Sequence, residues 1–195
     1  MLKRIDSKKE RRKKFWMGFV LVFLMFISML GVLIGGGGSE TWEYNDYKFT
    51  LNENNVFITK INGEKMAFNF LPQTIESINI TGKIAPPLSQ PMIYLTFDPD
   101  SDINNLLYID TIRKDLQTSL NTIIINSKTK ESELYLLPII GCENATQFVP
   151  VIYLKVSNQT SVEVKDNCII LNGQTFEFFK LRDLLVYTRY GVMND

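Results

Sequence analysis

Cys142 and Cys168 are the only thiols in the chain, and the sequence contains no histidine. The missing imidazole excludes Ser-His-Asp and Cys-His nucleophiles and every zinc site that uses histidine, and two cysteines alone cannot form a thiolate-only site. Three roles remain for the pair: a structural disulfide, two separate buried thiols or a redox couple. An even count leaves no orphan, and the spacing is far from the Cys-x-x-Cys of redox sites. Counted inclusively, Cys142 to Cys168 encloses 27 residues. Closing such a loop restricts the unfolded chain by about 3 to 4 kcal/mol in the entropic model.

Asp98-x-Asp100-x-Asp102 resembles the opening of a calcium loop. Ile103 stands where that loop requires glycine, however, and Ile109 stands where it requires the bidentate glutamate. A turn followed by a helix cap is therefore expected. Asn79, Asn144 and Asn158 each begin an Asn-x-Thr sequon and are candidate glycosylation sites. Lys180, Arg182 and Asp183 read as a solvated face of the last helix rather than a catalytic set. No Gly-rich phosphate loop is present. No catalytic, cofactor-binding or metal-ligating residue is assigned, and no cofactor is expected.

The element that dominates placement is at the start. Eight Lys and Arg residues against Asp6 and Glu10 give positions 1–14 a net charge of 8 − 2 = +6, and no charge occurs from Phe15 to Ile34. Twenty apolar residues rise about 30 Å as a helix, the thickness of a bilayer core. The expectation is a signal-anchor, with 1–14 as a cytoplasmic tail, 15–34 as a single transmembrane helix and 35–41 as a Gly-rich linker. A cleaved signal peptide is the alternative, though the run is long and lacks an Ala-x-Ala site. Gly31-x-x-x-Gly35 matches a helix-pairing spacing but runs into the linker. Beyond the anchor the net charge is 13 − 19 = −6. On this reading the ectodomain lies outside the cell membrane, where Cys142 and Cys168 would be oxidised.

Residues 42–90 read as β-hairpins. Apolar alternation surrounds Asn45-Asp46 and Asn62-Gly63, and the latter is a strong two-residue turn signal. Residues 91–195 read as a mixed α/β region, in which Met92–Phe97 and Ile123–Ile125 are buried strands joined by a helix of about 103–120. Val151–Val156 and the stretch 162–171 are then expected to pair antiparallel, before a closing helix that stops at Gly191. The fold class is α+β or α/β, in the order β-hairpins and then β-α-β-(α)-β-β-α.

From Met92 onward that order resembles a thioredoxin-like arrangement. Val149-Pro150 holds the place of that fold's cis-proline, which would then lie near Asp98–Ser101. Asp98-Pro99-Asp100-Ser101 stands where the catalytic cysteines would be, so the redox activity does not carry over. Over nearly the whole chain, Tyr44-Asn45-Asp46-Tyr47-Lys48-Phe49, Pro91–Pro99, Cys142–Thr146 and Val149–Tyr153 resemble small uncharacterised single-pass membrane proteins of DPANN-type archaea. That resemblance implies a prokaryotic cell-surface protein rather than a reaction.

The expected function is a non-enzymatic binding or structural component of the cell envelope. Its partners would be the lipid bilayer and another envelope protein, with no nucleic acid. The alternative is a thiol-dependent accessory or oxidoreductase using Cys142 and Cys168. A carboxylate-based hydrolase would require two convergent carboxylates in a cleft.

Overall fold

The computed structural model describes residues 7–35 and 40–194, with side chains for 12–28 and 40–194. The chain divides into two compact units, Met1–Ser39 and Glu40–Asp195. In the first unit, α1 (Ser7–Gly35) is helical, and its described side chains include Arg12, Lys13 and Lys14. Among the described residues no helix is long and apolar enough to cross a membrane.

That finding overturns the expected transmembrane signal-anchor. With it fall the cytoplasmic tail and single-pass topology, the cell-membrane localisation, the lipid-bilayer partner and the envelope function built on them. Residues 1–6, the glycine linker at 36–39 and the side chains of the Gly31-x-x-x-Gly35 spacing lie outside the described residues.

The second unit is an α+β domain with two sheets. The first is an antiparallel meander of β1 (Thr41–Tyr44), β2 (Tyr47–Leu51), β3 (Phe57–Ile61) and β4 (Glu64–Phe68). Asn62 and Gly63 both have positive φ, 52° and 87°, which matches the twist of the strands they join. Phe49, Ile61 and Phe68 point inward and are buried. Phe49 and Phe68 pack against Tyr187, with ring centroids 6.0 and 4.2 Å away.

Two four-residue helices, α2 (Pro72–Ile75) and α3 (Ala85–Leu88), flank β5 (Asn79–Thr81). There follow β6 (Met92–Phe97), α4 (Ile103–Ser119), β7 (Ile123–Asn126), β8 (Val151–Val156), β9 (Ser161–Lys165), β10 (Cys168–Gly173) and α5 (Glu177–Arg189). The second sheet has the order β5-β9-β10-β8-β6-β7. Its inner face, carrying Ile93, Leu95, Phe97, Ile152, Leu154, Ile169 and Leu171, shares one core with α4, α5 and the first sheet.

The pairing in this sheet corrects the thioredoxin-like expectation. β6 pairs parallel with both β7 and β8, and β8 pairs parallel with β10. The stretch expected as one strand over 162–171 is two strands, broken at Asp166 and Asn167, whose φ values are 48° and 65°. Only β9 and β10 pair antiparallel there. A parallel β8 needs a long return from β7, and residues 127–150 supply it. The parallel register puts Pro150 beside Tyr94, whose N–H donates to the Pro150 carbonyl at 3.0 Å, and not beside Asp98–Ser101. No peptide bond among the described residues is cis.

β10 lies between β8 and β9, so residues 157–160 cross over its end. The Ser157 N–H donates to the Gly173 carbonyl there at 2.8 Å. A Cβ on Gly173 would come within 2.9 Å of Leu181 Cδ1, so any side chain here would require Leu181 of α5 to shift.

α4 starts at Asp102, whose carboxylate accepts from the Asn104 and Asn105 N–H groups, each at 3.1 Å. Asn105 adds a short side-chain hydrogen bond to the same carboxylate and accepts from the Thr175 N–H at 2.7 Å. The Asn105 bonds hold the Asp102 carboxyl below its usual range. Asp102→Ala removes the cap, and urea denaturation should register a lower midpoint. An unchanged midpoint would mean that Asn105 alone secures the helix start.

Candidate functional site

The structure disperses the residues singled out in the sequence. Cys142 and Cys168 form a disulfide with a Cα–Cα distance of 5.3 Å. Cys168 lies on the sheet face opposite Ile169 and Leu171. The bond therefore fastens the segment after β7 across the outer face of the second sheet, where the buried Thr96 hydroxyl also donates to the Ile140 carbonyl at 2.7 Å. Asn79, Asn144 and Asn158 are all exposed, on β5, on the 3-10 turn Cys142–Asn144 and on the crossing loop respectively. Asp98 and Asp100 both grip Lys130, at 3.0 and 2.9 Å, while Asp102 caps α4. An ammonium thus occupies the space between the first two carboxylates. No group of three or more His, Cys, Asp or Glu among the described residues is placed to hold a metal.

The expected solvated face on α5 is corrected most sharply. Lys180 is half-buried and paired with Glu177 at 2.9 Å, but Arg182 and Asp183 are buried, at 7% and 0% exposure. Asp183 accepts from the Asn69 and Phe70 N–H groups at 2.8 and 2.9 Å and from Arg182 at 2.7 Å. This carboxylate locks α5 to the end of β4. Burial pushes its pKa up to about 6, and Arg182 and the two N–H groups oppose that rise. The clue was in the sequence: Phe178, Leu181, Leu184, Leu185, Val186 and Tyr187 leave α5 no polar face wide enough for solvent.

Arg182 also lines a cleft of about 880 Å³. The β3–β4 hairpin, with Asn62, Glu64, Lys65 and Met66, forms one wall. The end of α4 and the start of β7, with Gln117, Thr118, Asn121 and Thr122, form the other. Both walls follow from local turns: Asn62-Gly63 carries Glu64 and Lys65, and Asn121, with φ of 47°, ends α4 and exposes its last polar side chains.

At the base, Arg182 Nη1 donates to the Ala67 carbonyl at 2.9 Å and to Asp183, and Nη2 donates to Ser119 Oγ at 2.8 Å. A guanidinium has five N–H donors. Among the described residues the buried Nε–H has no partner. The guanidinium carbon sits 5.6 Å from the centroid of the Phe68 ring, whose face offsets part of that cost. Tyr190, its hydroxyl donating to the Ser119 carbonyl at 2.8 Å, completes the base. Burial raises the Tyr190 pKa, with Arg189 opposing and Glu64 adding to the rise.

The cleft's polar side chains are amides, hydroxyls, one ammonium, one guanidinium and a single carboxylate, Glu64, set among apolar residues such as Ile61, Met66 and Ile123. They can hold and orient a polar ligand. The lining contains no nucleophile beside a base and no second carboxylate. No sequence signal marked the site, because its walls come from segments more than fifty residues apart. No family model matches the chain, and neither a curated protein nor a solved structure does so; the resemblance to archaeal membrane proteins and to the thioredoxin-like fold is left without support.

Proposed function

We propose that the domain binds a small carboxylate-bearing ligand in the cleft above Arg182, without chemically transforming it. The observation that carries this reading is the incomplete pairing of a nine-tenths-buried guanidinium at the base of a polar cleft. An enclosed, unpaired N–H is costly in a native fold and is relieved when an anionic oxygen accepts from it. Arginine's planar fork suits a carboxylate in particular. Lys65 adds a second positive charge from the hairpin wall, while Gln117, Thr118 and Thr122 offer hydrogen bonds to the rest of the ligand.

Malonate tests this reading as a small dicarboxylate probe. In a thermal-unfolding series on the full chain, malonate at ten times its dissociation constant should stabilise the fold by about 1.4 kcal/mol, a rise of a few degrees in Tm. Lys65→Ala with Gln117→Ala should remove most of that rise, and both positions are exposed, so the fold is expected to survive. A rise of equal size in the double variant, or none in the parent, would refute the reading.

A further inference from the structure

We infer that the outer edge of β7 is a docking edge for an extended acidic–apolar peptide. In a parallel ladder the N–H and C=O of one residue point to the same side, so the β6 pairing fixes which groups face outward. The N–H groups of Ile123, Ser127 and Thr129 donate to carbonyls of the β6 side, Pro91, Leu95 and Phe97. The backbone groups of Ile124, Asn126 and Lys128 therefore point away from the sheet. Lys128 is already paired: its N–H donates to the Pro138 carbonyl, its carbonyl accepts from the Ile140 N–H, and the bridge to Ile139 is parallel. The chain itself thus adds one strand position to this edge and then leaves it. Tyr135 draws the preceding segment toward α4 by packing edge to face on Phe97 at 4.8 Å and donating to Asp110 at 2.9 Å. The outward backbone groups of Ile124 and Asn126 remain without ladder partners among the described residues.

Native edges are usually blunted by lysine, proline or a bulge, yet β7 reads Ile-Ile-Ile-Asn. The opposite edge, β5, is a three-residue Asn-Ile-Thr strand. Beside the β7 edge lies a pocket of about 410 Å³, lined by Asn126, Lys114, Leu134 and Leu136 and by the ion pair of Asp110 with Arg113, which leaves Lys114 as its uncompensated charge. Leu134 and Leu136 are 80% and 97% exposed, and Lys114 makes no ion pair among the described residues. A backbone laid along Ile124 and Asn126 would turn alternate side chains to the two faces. One set would enter the pocket at Lys114, which fits a carboxylate. The other would lie against Ile123, 65% exposed, and Ile125, which fits a β-branched apolar residue. Open ladder groups with a flanking side-chain pocket are the means by which sheets bind peptides by strand addition.

The probe is the blocked peptide acetyl-Val-Glu-Val-Glu-Val-amide, titrated into the full chain, with binding read by backbone amide shifts. The expected result is saturable movement of Ile124, Asn126 and Lys128. A peptide N-methylated at alternate residues, which cannot donate to the ladder, should bind at least tenfold more weakly. Ile124→Pro removes an outward N–H that serves no internal bond and should lose binding to a similar degree. Ile123→Lys, a change at a largely exposed position, guards against a folding artefact and should also weaken it. Absence of saturable shifts, equal affinity for the N-methylated peptide or shifts centred elsewhere would overturn the inference. So would concentration-dependent dimerisation through the same edge, which would name a second copy as the occupant.

Discussion

Replacing Asp183 with alanine is expected to cost about 3 to 5 kcal/mol, because it strands a buried guanidinium and leaves the Asn69 and Phe70 N–H groups without their acceptor. Guanidinium denaturation measures this directly, and a loss below about 1 kcal/mol would contradict the locking role. Removing both charges with Arg182→Met and Asp183→Leu should cost less than the single change, since no unpaired charge is left behind. The pH dependence has a definite sign. The Asp183 pKa rises from 3.8 to about 6 on folding, chiefly through burial. The protonated form is thus favoured in the fold, so the group's contribution is complete below about pH 4 and is lost as the pH climbs through about 6. Stability should decline across that window, and Asp183→Asn should flatten the decline. A parent curve that rises steadily from pH 4 to 7, unchanged by the substitution, would refute the assignment.

Opening the Cys142–Cys168 bond carries the second large effect. The link spans 26 positions in sequence, and its loss should lower stability by about 3 to 4 kcal/mol through the regained freedom of the unfolded chain. A Cys142→Ser, Cys168→Ser variant should therefore unfold at a lower denaturant concentration than the parent. Hydrogen exchange adds a local readout. The amides of Asn144 and Ala145, bonded to the Gly141 and Cys142 carbonyls, should lose protection while those of Ile169 and Leu171 keep theirs. Equal protection at both places would mean that the Thr96 bond to Ile140 holds the cover without the disulfide.

Features set by near neighbours could be read in the sequence, and those set by distant segments could not. Asn62-Gly63 makes its turn with two residues that accept positive φ, and Asp102 caps α4 from one position away. The pairing of β8 depends on where residues 127–150 return the chain, which no local pattern encodes. Asp166-Asn167 was a turn signal hidden between two apolar runs, and missing it merged β9 with β10. The apolar run at 15–34 reads as a span from its length and composition, whereas among the described residues no helix is long and apolar enough to cross a membrane. The candidate site was the least legible part. Lys65, Gln117 and Arg182 meet only through tertiary packing, and a charged pair at adjacent helix positions looks solvated until the apolar residues on every side of it are counted.

The Nε–Hε resonance of Arg182 reports most directly on whether the cleft takes an anion. In a ¹H–¹⁵N spectrum of the full chain this enclosed N–H should be slow to exchange and resolved from the exposed arginines. If malonate seats above Arg182, the resonance should move downfield and saturate at the same dissociation constant that governs the rise in Tm, with that constant increased by Lys65→Ala. A resonance that stays in place while malonate shifts amides elsewhere, or while nothing shifts at all, would contradict the assignment of this cleft as the binding site.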